Sequence, residues 1–329
     1  MTARVSVVIP CLNEEKYIRT CVESILSNGY PINLLEVLVA DGRSTDQTRS
    51  IISELSTKHP NVRLLDNKER TTPQAMNLGI REAKGDFVMI AGAHSSYDHG
   101  YIGACVAAMS THDADVVGGM LRTEVLNETN TSLAIRAVLS HPVGVGNSMF
   151  RIGVAEPQRV DTVPFGLYKR KMLVDLGGFN LQLRRNQDME MSKRLAAHGA
   201  RIWLIPTVQA IYYARENWSS FYQNNFLNGL WNIRTIRITG RLKSIGLRHI
   251  TPIIFLMSLV LPTALAFWYP PLVFVSILSL LTYLLVILYF SFRIDSKAAP
   301  FHVFWTFIVL HFSYAFGLTK GVLTFHKKI

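Results

Sequence analysis

Cysteine is scarce in this sequence, and its cysteines are not spaced as metal ligands. Cys11, Cys21 and Cys105 are the three in 329 residues. Their spacing excludes a cysteine-based zinc site, and so small a number fits a reducing compartment such as the cytoplasm. Cys21 shares one helical face with Ile18 and Ile25, so we expect this thiol to pack in a core.

Acidic residues are almost absent from the last third of the chain. Residues 1–216 carry 24 Lys and Arg against 22 Asp and Glu, whereas residues 217–329 carry ten against one. Most of the net charge of +11 therefore lies in the C-terminal part. The basic residues there adjoin apolar runs and form no recognised reader motif, so we expect no nucleic-acid partner.

Long apolar runs are confined to the chain after residue 250. Residues 253–268, 272–290 and 303–318 are each close to the roughly 17 to 25 residues of a membrane helix. Pro270 and Pro271 lie between the first two runs and predict a helical hairpin with a short outer loop. The N-terminal residues are too few and too lightly charged for a signal peptide, so we expect no cleaved leader.

A basic segment precedes these runs and is typical of a chain lying on an anionic bilayer surface. Its basic residues alternate with large apolar ones and are Arg234, Arg237, Arg241, Lys243 and Arg248. The positive-inside rule then predicts a multi-pass protein of the cytoplasmic membrane, with its N-terminal part in the cytoplasm. Lys320, Lys327 and Lys328 would lie outside if all three runs spanned. Either the third run is re-entrant or interfacial, or the first helix sets the orientation.

Two apolar strands are predicted near the N-terminus. Residues 5–10 read VSVVIP, and residues 35–41 read LEVLVAD, about one helix further on. Ser44 and Gln47 form a capping-box pattern that predicts the start of the next helix. Asp41 is therefore expected at the carboxyl end of a parallel strand, which is where open α/β sheets bind ligands.

Seven motifs in order carry a family resemblance. They are VVIPCLNEE, VADGRSTD, TPQAMNLGI, GDFVMIAGAH, DTVPFG, GGFN and NQDMEMSKRLAAHG, and they cover roughly residues 5–199. In this order they resemble the family 2 glycosyltransferases of the GT-A fold, and most of all the succinoglycan-type exopolysaccharide enzymes. The resemblance implies an α/β nucleotide-sugar-binding domain with a mostly parallel central sheet, followed by C-terminal transmembrane helices.

Three regions follow from these observations together. Residues 1–225 are expected to form the cytoplasmic GT-A domain and residues 226–250 the basic interfacial segment. Residues 251–329 are expected to form a membrane anchor of two to three transmembrane helices.

The resemblance assigns the donor site to the ends of the first two strands. Asp41 would hydrogen-bond the uracil or the ribose, and the loop with Pro10, Asn13 and Glu14 would complete the site. The alternative for Asp41 is a carboxylate that only caps its own loop. Asp46 is interpreted mainly as an acid in the first turn of the next helix, stabilised by the helix dipole.

The resemblance assigns the general base to Asp188. The family carries this base as an Asp after Glu or Gln, and Gln187 precedes Asp188 here. Asp188 opens a predicted helix and would take the proton of the acceptor hydroxyl; the alternative is an acid that only stabilises the helix dipole. Glu190 is expected to pair with Arg194, one helical turn further on.

Two further pairs of residues are candidates on the acceptor side. Phe165 and Gly166 lie in a motif that resembles the acceptor loop of the family, where glycine lets a sugar approach the backbone. Arg184 and Arg185 could bind a diphosphate, either the donor's or the acceptor lipid's, or could be solvated surface residues.

The sequence departs from the family at residues 91–94, which read AGAH. The wider family has Asp-x-Asp here and similar proteins Asp-x-His, so Gly92 replaces a carboxylate that holds metal and ribose. His94 and the donor diphosphate could still hold a divalent metal weakly, with Mn²⁺ preferred to Mg²⁺ because Mn²⁺ accepts imidazole more readily. The alternative is that His94 is an ordinary loop histidine.

The sequence thus predicts an inverting glycosyltransferase. It would move a sugar from a nucleotide-sugar, expected to be a UDP-sugar, to a lipid-linked saccharide acceptor in exopolysaccharide or surface polysaccharide synthesis. Two alternatives are a polyprenyl-phosphate glycosyltransferase and a non-catalytic sugar-nucleotide-binding membrane subunit, the latter because of Gly92. A QxxRW signature is absent between Gln223 and Trp231, which favours addition of single sugars over polymerisation.

Overall fold

A computed structural model gives the structure of the chain and describes residues 3–240 and 249–326. The chain divides into two compact units. The first unit consists of residues 1–122 and 149–213, and the second unit of residues 123–148 and 214–329. The predicted boundary at residue 225 falls inside a helix, and the predicted basic residues Arg241, Lys243 and Arg248 lie outside the described residues.

One mixed sheet forms the centre of the first unit. Its strands are β1 Val5–Cys11, β2 Leu35–Asp41, β3 Val62–Asp66, β4 Phe87–Ile90, β5 Ser95–Tyr97, β6 Val116–Glu124, β7 Gln158–Arg159, β8 Leu167–Lys169 and β9 Ile202–Tyr213. Their order is β3-β2-β1-β4-β8-β6-β9-β5, and β7 pairs with β9. The first four are parallel, which for β1 and β2 is as predicted. The pairings of β8 with β4 and β6, and of β9 with β5 and β7, are antiparallel, so the sheet is mixed rather than mostly parallel.

Helices cover both faces of this sheet. They are α1 Ile18–Leu26, α2 Thr48–Lys58, α3 Thr72–Glu82, α4 Tyr101–Thr111, α7 Met149–Ile152, α8 Arg170–Asp175 and α9 Gln187–Ala197. Alternate strand residues point to opposite faces, so Val7 and Val39 join one core with α1, while Val8 and Leu38 join the other with α3. Cys21 is fully buried beside Ile18 and Ile25, as predicted.

The second unit is helical apart from the end of β6. Its helices are α5 Asn130–Leu139, α6 Pro142–Val145, α10 Trp218–Thr239, α11 Thr251–Leu265, α12 Leu272–Arg293 and α13 Pro300–Leu323. The predicted hairpin is present as α11 and α12, which are joined through Ser258 and Ser279 (Oγ to Oγ, 2.7 Å). Among the described residues, α12 and α13 are long and apolar enough to cross a membrane, whereas α11 has 15 residues.

Residues 123–148 are hydrogen-bonded to α13 and to the residue before it. The amide of Ala299 donates to Asn130 Oδ1 at 3.0 Å, and His311 Nε2 lies 3.0 Å from the carbonyl oxygen of Val143. This stretch of chain, which leaves the first unit between β6 and α7, therefore belongs structurally with the C-terminal helices.

Candidate active site

The carboxyl ends of the parallel strands bring the predicted donor-side residues to one edge of the sheet. Cys11 ends β1 and pairs in register with Asp41 at the end of β2, which in turn pairs with Asp66 at the end of β3. Pro10 lies one residue earlier in β1. His94 follows the neighbouring strand β4, so four strand ends contribute side chains to this edge.

Asp41 is fully buried and is the centre of a charged network. Its Oδ2 accepts from Arg49 at 2.6 Å, and its Oδ1 accepts from the hydroxyl of Ser44 at 2.5 Å. Arg49 also reaches Asp66 at 3.3 Å, and Arg43 reaches the same carboxylate at 3.2 Å. A buried carboxylate is stable only when it is paired and hydrogen-bonded, and here the pairing presents arginine side chains at the strand ends.

The predicted capping box of Ser44 and Gln47 is wrong. Helix α2 begins at Thr48, and its N-cap residue, Gln47, makes no side-chain capping hydrogen bond. The hydroxyl of Ser44 donates to Asp41 instead, because the buried carboxylate is the stronger acceptor. Asp46 receives the amides of Thr48 at 3.0 Å and of Glu15 at 3.2 Å. Burial raises the pKa of Asp46, but these hydrogen bonds outweigh it and leave the pKa below its usual value.

The loop after β1 is tied to the loop after β2 by reciprocal hydrogen bonds. The amide of Asn13 donates to Ser44 at 2.8 Å, and the amide of Glu14 donates to the hydroxyl of Thr48 at 2.8 Å. In return, the amide of Thr45 donates to Asn13 Oδ1 at 2.9 Å. Asn13 has a φ of +57°, a conformation that asparagine tolerates better than most residues. The predicted donor loop is thus fixed by its partner loop.

His94 lies among aromatic rings beside Glu14. Its Nδ1 is 3.4 Å from Glu14 Oε1, and its ring packs edge-on against Tyr212, with centroids 5.5 Å apart. Tyr17 contacts the ring of His94 at 6.3 Å and stacks on Tyr213 at 5.8 Å. These contacts place His94 and Glu14 together, as a donor site needs, and leave the imidazole about one third exposed.

Gly92 is enclosed on three sides. Its amide donates to the hydroxyl of Tyr97 at 2.9 Å, and its carbonyl accepts from the thiol of Cys21 at 3.3 Å. A Cβ atom at this position would lie 2.6 Å from Cε1 of Phe165. The ring of Phe165 packs edge-on against Tyr97, with centroids 5.7 Å apart. An aromatic ring therefore fills the space next to the missing carboxylate.

Phe165 has a φ of +46°, which is uncommon for a bulky residue. The next residue, Gly166, is in close contact with Tyr168, because a Cβ atom on Gly166 would lie 3.0 Å from the tyrosine ring. Burial, and secondly the charge of Asp188, raise the pKa of Tyr168. The acceptor-loop motif thus begins beside Gly92 and leads to Tyr168, whose pKa is affected by the charge of Asp188.

Asp188 lies in the first turn of α9, as predicted, and Gly199 follows the helix end with a φ of +82°. The side chain is exposed to solvent, yet protein surrounds it closely enough for desolvation to raise its pKa. Backbone hydrogen bonds, including one from Met189 at 2.8 Å, oppose this rise. An accessible carboxylate with a raised pKa is suited to accept a proton from a bound hydroxyl.

Its neighbours on α9 have other partners. Glu190 pairs with Arg194 at 2.8 Å, so the structural interpretation of Glu190 is confirmed. Arg194 also donates to the carbonyl of Leu176 at 2.7 Å. Arg184 is exposed and Arg185 half-buried in the segment before the helix. Their role in binding a diphosphate stays a prediction.

The donor atoms near Gly92 fit a metal ion only in part. Within residues 3–240 and 249–326, no group of three or more His, Cys, Asp and Glu side chains is arranged to hold one. His94 and Glu14 together offer one nitrogen and one carboxylate. Nucleotide phosphates would have to supply the remaining ligands.

Comparison with known sequences identifies the family. Residues 6–177, more than half of the chain, match Glycosyl transferase family 2. The chain belongs to this family. It is a glycosyltransferase, and the resemblance seen in its motifs is confirmed.

Two family 2 relatives show how far the similarity extends. A Methanococcus voltae enzyme, a dolichyl N-acetyl-α-D-glucosaminyl phosphate 3-β-D-2,3-diacetamido-2,3-dideoxy-β-D-glucuronosyltransferase, is 27% identical over 98% of this chain and 99% of its own length. Succinoglycan biosynthesis protein ExoA of Rhizobium meliloti is 31% identical over 64% of this chain, and the match spans 63% of that protein.

A solved structure shares the fold of this family 2 glycosyltransferase. The Pyrobaculum calidifontis mannosyltransferase PcManGT, solved with GDP-Man and Mn²⁺, superimposes with a TM-score of 0.61 at 16% identity. The match covers 98% of this chain and 88% of that one. The predicted GT-A-type α/β fold is confirmed.

Sequence patterns did not indicate several residues of this site. Arg49 lies in the first turn of α2 and Asp66 ends β3, and neither matches a motif. Tyr212, at the end of β9, reaches the site only because β9 pairs with β5, which follows His94 directly.

Proposed function

We propose that this enzyme moves a sugar, with inversion, from a nucleotide-sugar to a lipid-linked saccharide acceptor in exopolysaccharide or surface polysaccharide synthesis. The first donor to test is a UDP-sugar. The observation that carries the proposal is Asp188, a solvent-exposed carboxylate in the first turn of α9 whose pKa is raised by its surroundings. Such a group can receive a proton at a point that a substrate can reach.

The reaction needs one proton acceptor and no covalent intermediate. Asp188 takes the proton of the acceptor hydroxyl while the hydroxyl oxygen bonds to the anomeric carbon. The bond from that carbon to the diphosphate breaks on the opposite side, and the nucleoside diphosphate leaves with the electron pair. Tyr168 is buried, and the charge of Asp188 contributes to its raised pKa, so the two side chains belong to one electrostatic environment.

The donor would bind at the strand ends of the first unit. Asp41 is fully buried and already paired with Arg49, so we propose that it acts through its network as well as through any contact with uridine. Asn13 and Glu14 lie in the loop fixed by Ser44 and Thr48, which presents them without a further cost of ordering.

A divalent metal, if bound, would lie between His94, Glu14 and the donor phosphates. It would supply positive charge to the departing diphosphate. Two protein donors predict weak affinity, and the imidazole favours Mn²⁺ over Mg²⁺. Arg184 and Arg185 are the proposed alternative source of positive charge.

The acceptor class is proposed from the second unit and from a relative. Two helices of the second unit are long and apolar enough to cross a membrane. The Methanococcus voltae relative is named for a dolichyl-linked sugar phosphate. Both support a saccharide carried on a membrane lipid, presented to an enzyme of the cytoplasmic membrane whose catalytic domain faces the cytoplasm.

Phe165 fills the space beside Gly92, where the family has a carboxylate, so the transfer itself is the step to measure. A donor screen tests it. Purified membranes are incubated with UDP-, GDP- and TDP-sugars and a panel of lipid-linked acceptors, and released nucleoside diphosphate is measured. We expect release that needs both donor and acceptor. Nucleotide binding without release would contradict the proposed transfer to these acceptors.

Truncation after Asn217 tests the membrane attachment. The shortened chain lacks α10 to α13, so we expect it to leave the membrane fraction. Residues 123–148 would lose their contacts with α13 and its preceding residue, so aggregation is also expected. Flotation in a density gradient distinguishes membranes, which rise, from aggregates, which sink. Flotation of the truncated chain after a carbonate wash would contradict the proposed anchor.

A further inference from the structure

A buried hydroxyl without a hydrogen-bond partner lies close to Gly92. Ser95 is the first residue of β5 and is 2% exposed. Among residues 3–240 and 249–326, its Oγ has no hydrogen-bond partner. A buried hydroxyl that is left unpaired is unfavourable, and such groups are uncommon in folded proteins. The described part of the chain therefore provides a hydrogen-bonding group at this point without using it.

The hydroxyl borders a small space at the donor edge of the sheet. A Cβ atom on Gly92 would lie 3.0 Å from Ser95 Oγ and 2.6 Å from Cε1 of Phe165, so both side chains border the same point. Gly92 is half-buried and follows the carboxyl end of β4, two residues before His94. Ligands of open α/β sheets bind outside the carboxyl ends of the strands. The unpaired hydroxyl thus lies where a bound nucleotide is expected.

Phe165 is the side chain that has to move for a ligand to enter this space. Its ring atoms are the nearest to the Cβ position of Gly92, and the side chain is only half-buried. Its φ of +46° is unfavourable for an aromatic residue. Strained backbone of this kind is concentrated at ligand clamps and switch regions. Ser95 and Tyr97, by contrast, are fixed in β5 by its pairing with β9.

We propose that Ser95 is a donor-binding residue and that the ring of Phe165 is a gate over it. When the nucleotide-sugar binds, the ring moves away from Gly92, and the hydroxyl of Ser95 donates a hydrogen bond to an oxygen atom of the nucleotide. That oxygen is either a ribose hydroxyl or a phosphate oxygen, since both accept hydrogen bonds. Glycine at position 92 lets the nucleotide approach the backbone closely. This inference rests on the proposed nucleotide-sugar donor.

Ser95→Ala in the full chain tests the inference by two measurements. Loss of one neutral hydrogen bond should weaken nucleotide binding about two- to tenfold, as measured by calorimetry with UDP, GDP and TDP. The unfolding temperature should be unchanged or higher, because the hydroxyl that is removed has no partner in the described part of the folded chain. A purely structural hydroxyl would give the opposite pair of results, a lower unfolding temperature with unchanged affinity.

Ser96→Ala is the matched control. Ser96 is also buried, and as the next residue of β5 it lies on the opposite face of the strand. We expect its affinity for nucleotide to equal that of the wild type. If Ser95→Ala also binds as tightly as the wild type, this inference alone is overturned. If the wild type binds none of the three nucleotides, the proposed donor class is contradicted together with this inference.

Deoxynucleotides identify the oxygen that Ser95 contacts. The 2′-deoxy and 3′-deoxy forms of the nucleotide that binds are measured with the wild type and with Ser95→Ala. If the effect of Ser95→Ala disappears with one of these forms, the missing ribose hydroxyl is the partner. An equal effect with all forms assigns the hydrogen bond to a phosphate oxygen. Either result supports the assignment of Ser95 to the donor site.

Phe165→Ala tests the gate separately. The variant has no ring to displace, so we expect it to bind nucleotide about two- to tenfold more tightly, the equivalent of one edge-to-face aromatic contact. That contact is the one with Tyr97, with centroids 5.7 Å apart. Weaker binding by Phe165→Ala would mean that the ring itself contacts the nucleotide in its present position, which would overturn the gate.

Discussion

Replacing Asp188 by asparagine is expected to lower turnover by roughly 10² to 10⁴, the range for a lost general base, while the affinity for donor stays nearly unchanged. Asparagine has the shape of aspartate and cannot accept the proton of the hydroxyl. Turnover is measured as nucleoside diphosphate released with acceptor present, and donor affinity by calorimetry with UDP. Near-normal turnover would show that the base lies elsewhere.

Glu190→Gln is the matched control on the same helix. Its carboxylate pairs with Arg194, so the change weakens an ion pair without touching the proposed base. We expect near-normal turnover from Glu190→Gln. A loss as large as that of Asp188→Asn would mean that any change of charge on α9 disturbs the site.

Stability and pH provide an independent check on Asp188. Its pKa is raised in the folded protein by desolvation, so its favourable contribution is present below the pKa of the unfolded chain and is lost as pH rises through the folded pKa. At pH 7 the ionised carboxylate therefore opposes folding, and Asp188→Asn should unfold at a temperature no lower than the wild type. The apparent pKa at which kcat/KM falls on the acidic side should lie above about 3.9, the ordinary value for aspartate. An apparent pKa at or below that value would contradict the assignment.

Restoring the family carboxylate by Gly92→Asp is expected to lower activity unless Phe165 is also replaced by a smaller residue. The new Cβ atom would lie 2.6 Å from the ring of Phe165, which is itself held against Tyr97. Overpacking of this kind costs about 1–3 kcal/mol. The double variant with Phe165→Ala has room for the carboxylate. The Mn²⁺ concentration that gives half its maximal activity should therefore fall about tenfold, the scale of effects around metal ligands.

Gly92→Ala and Phe165→Ala are the controls, since they separate the steric change from the carboxylate. Metal binding is read from the paramagnetic signal of Mn²⁺ titrated in the presence of UDP, and also from activity. Equal Mn²⁺ affinity in Phe165→Ala and in the double variant would show that a carboxylate at position 92 does not reach the metal. If the wild type is fully active in excess chelator and the double variant does not respond to metal, Arg184 and Arg185 would be the groups that neutralise the charge of the diphosphate.

The sequence by itself determined the family and the first strands, and it placed the proposed base at the start of a helix. Apolar runs of strand length and first-turn residues are local signals, so β1, β2 and α9 lie close to where the pattern predicts them. Asp188 at the start of α9 is local in the same sense. The order of the motifs indicated the fold, because a series of motifs that matches one family in order implies the same path of the chain.

Only the tertiary structure decided which distant residues meet. The network of Asp41, Arg49 and Asp66, and the ring of Phe165 over Gly92, depend on strand order and register, which place residues far apart in sequence within contact distance. The parallel course of α10 and α13, which are in contact from Trp218 and Thr306 to Arg237 and Phe325, is of the same kind. Hydrophobic periodicity predicts that a helix has an apolar face, but it does not predict which surface covers that face. The reason is that the hydrophobic effect is non-directional, so many partner surfaces would bury the face equally well. Glycines at the contact let α13 and α10 approach to backbone distance, and that fit selected the partner.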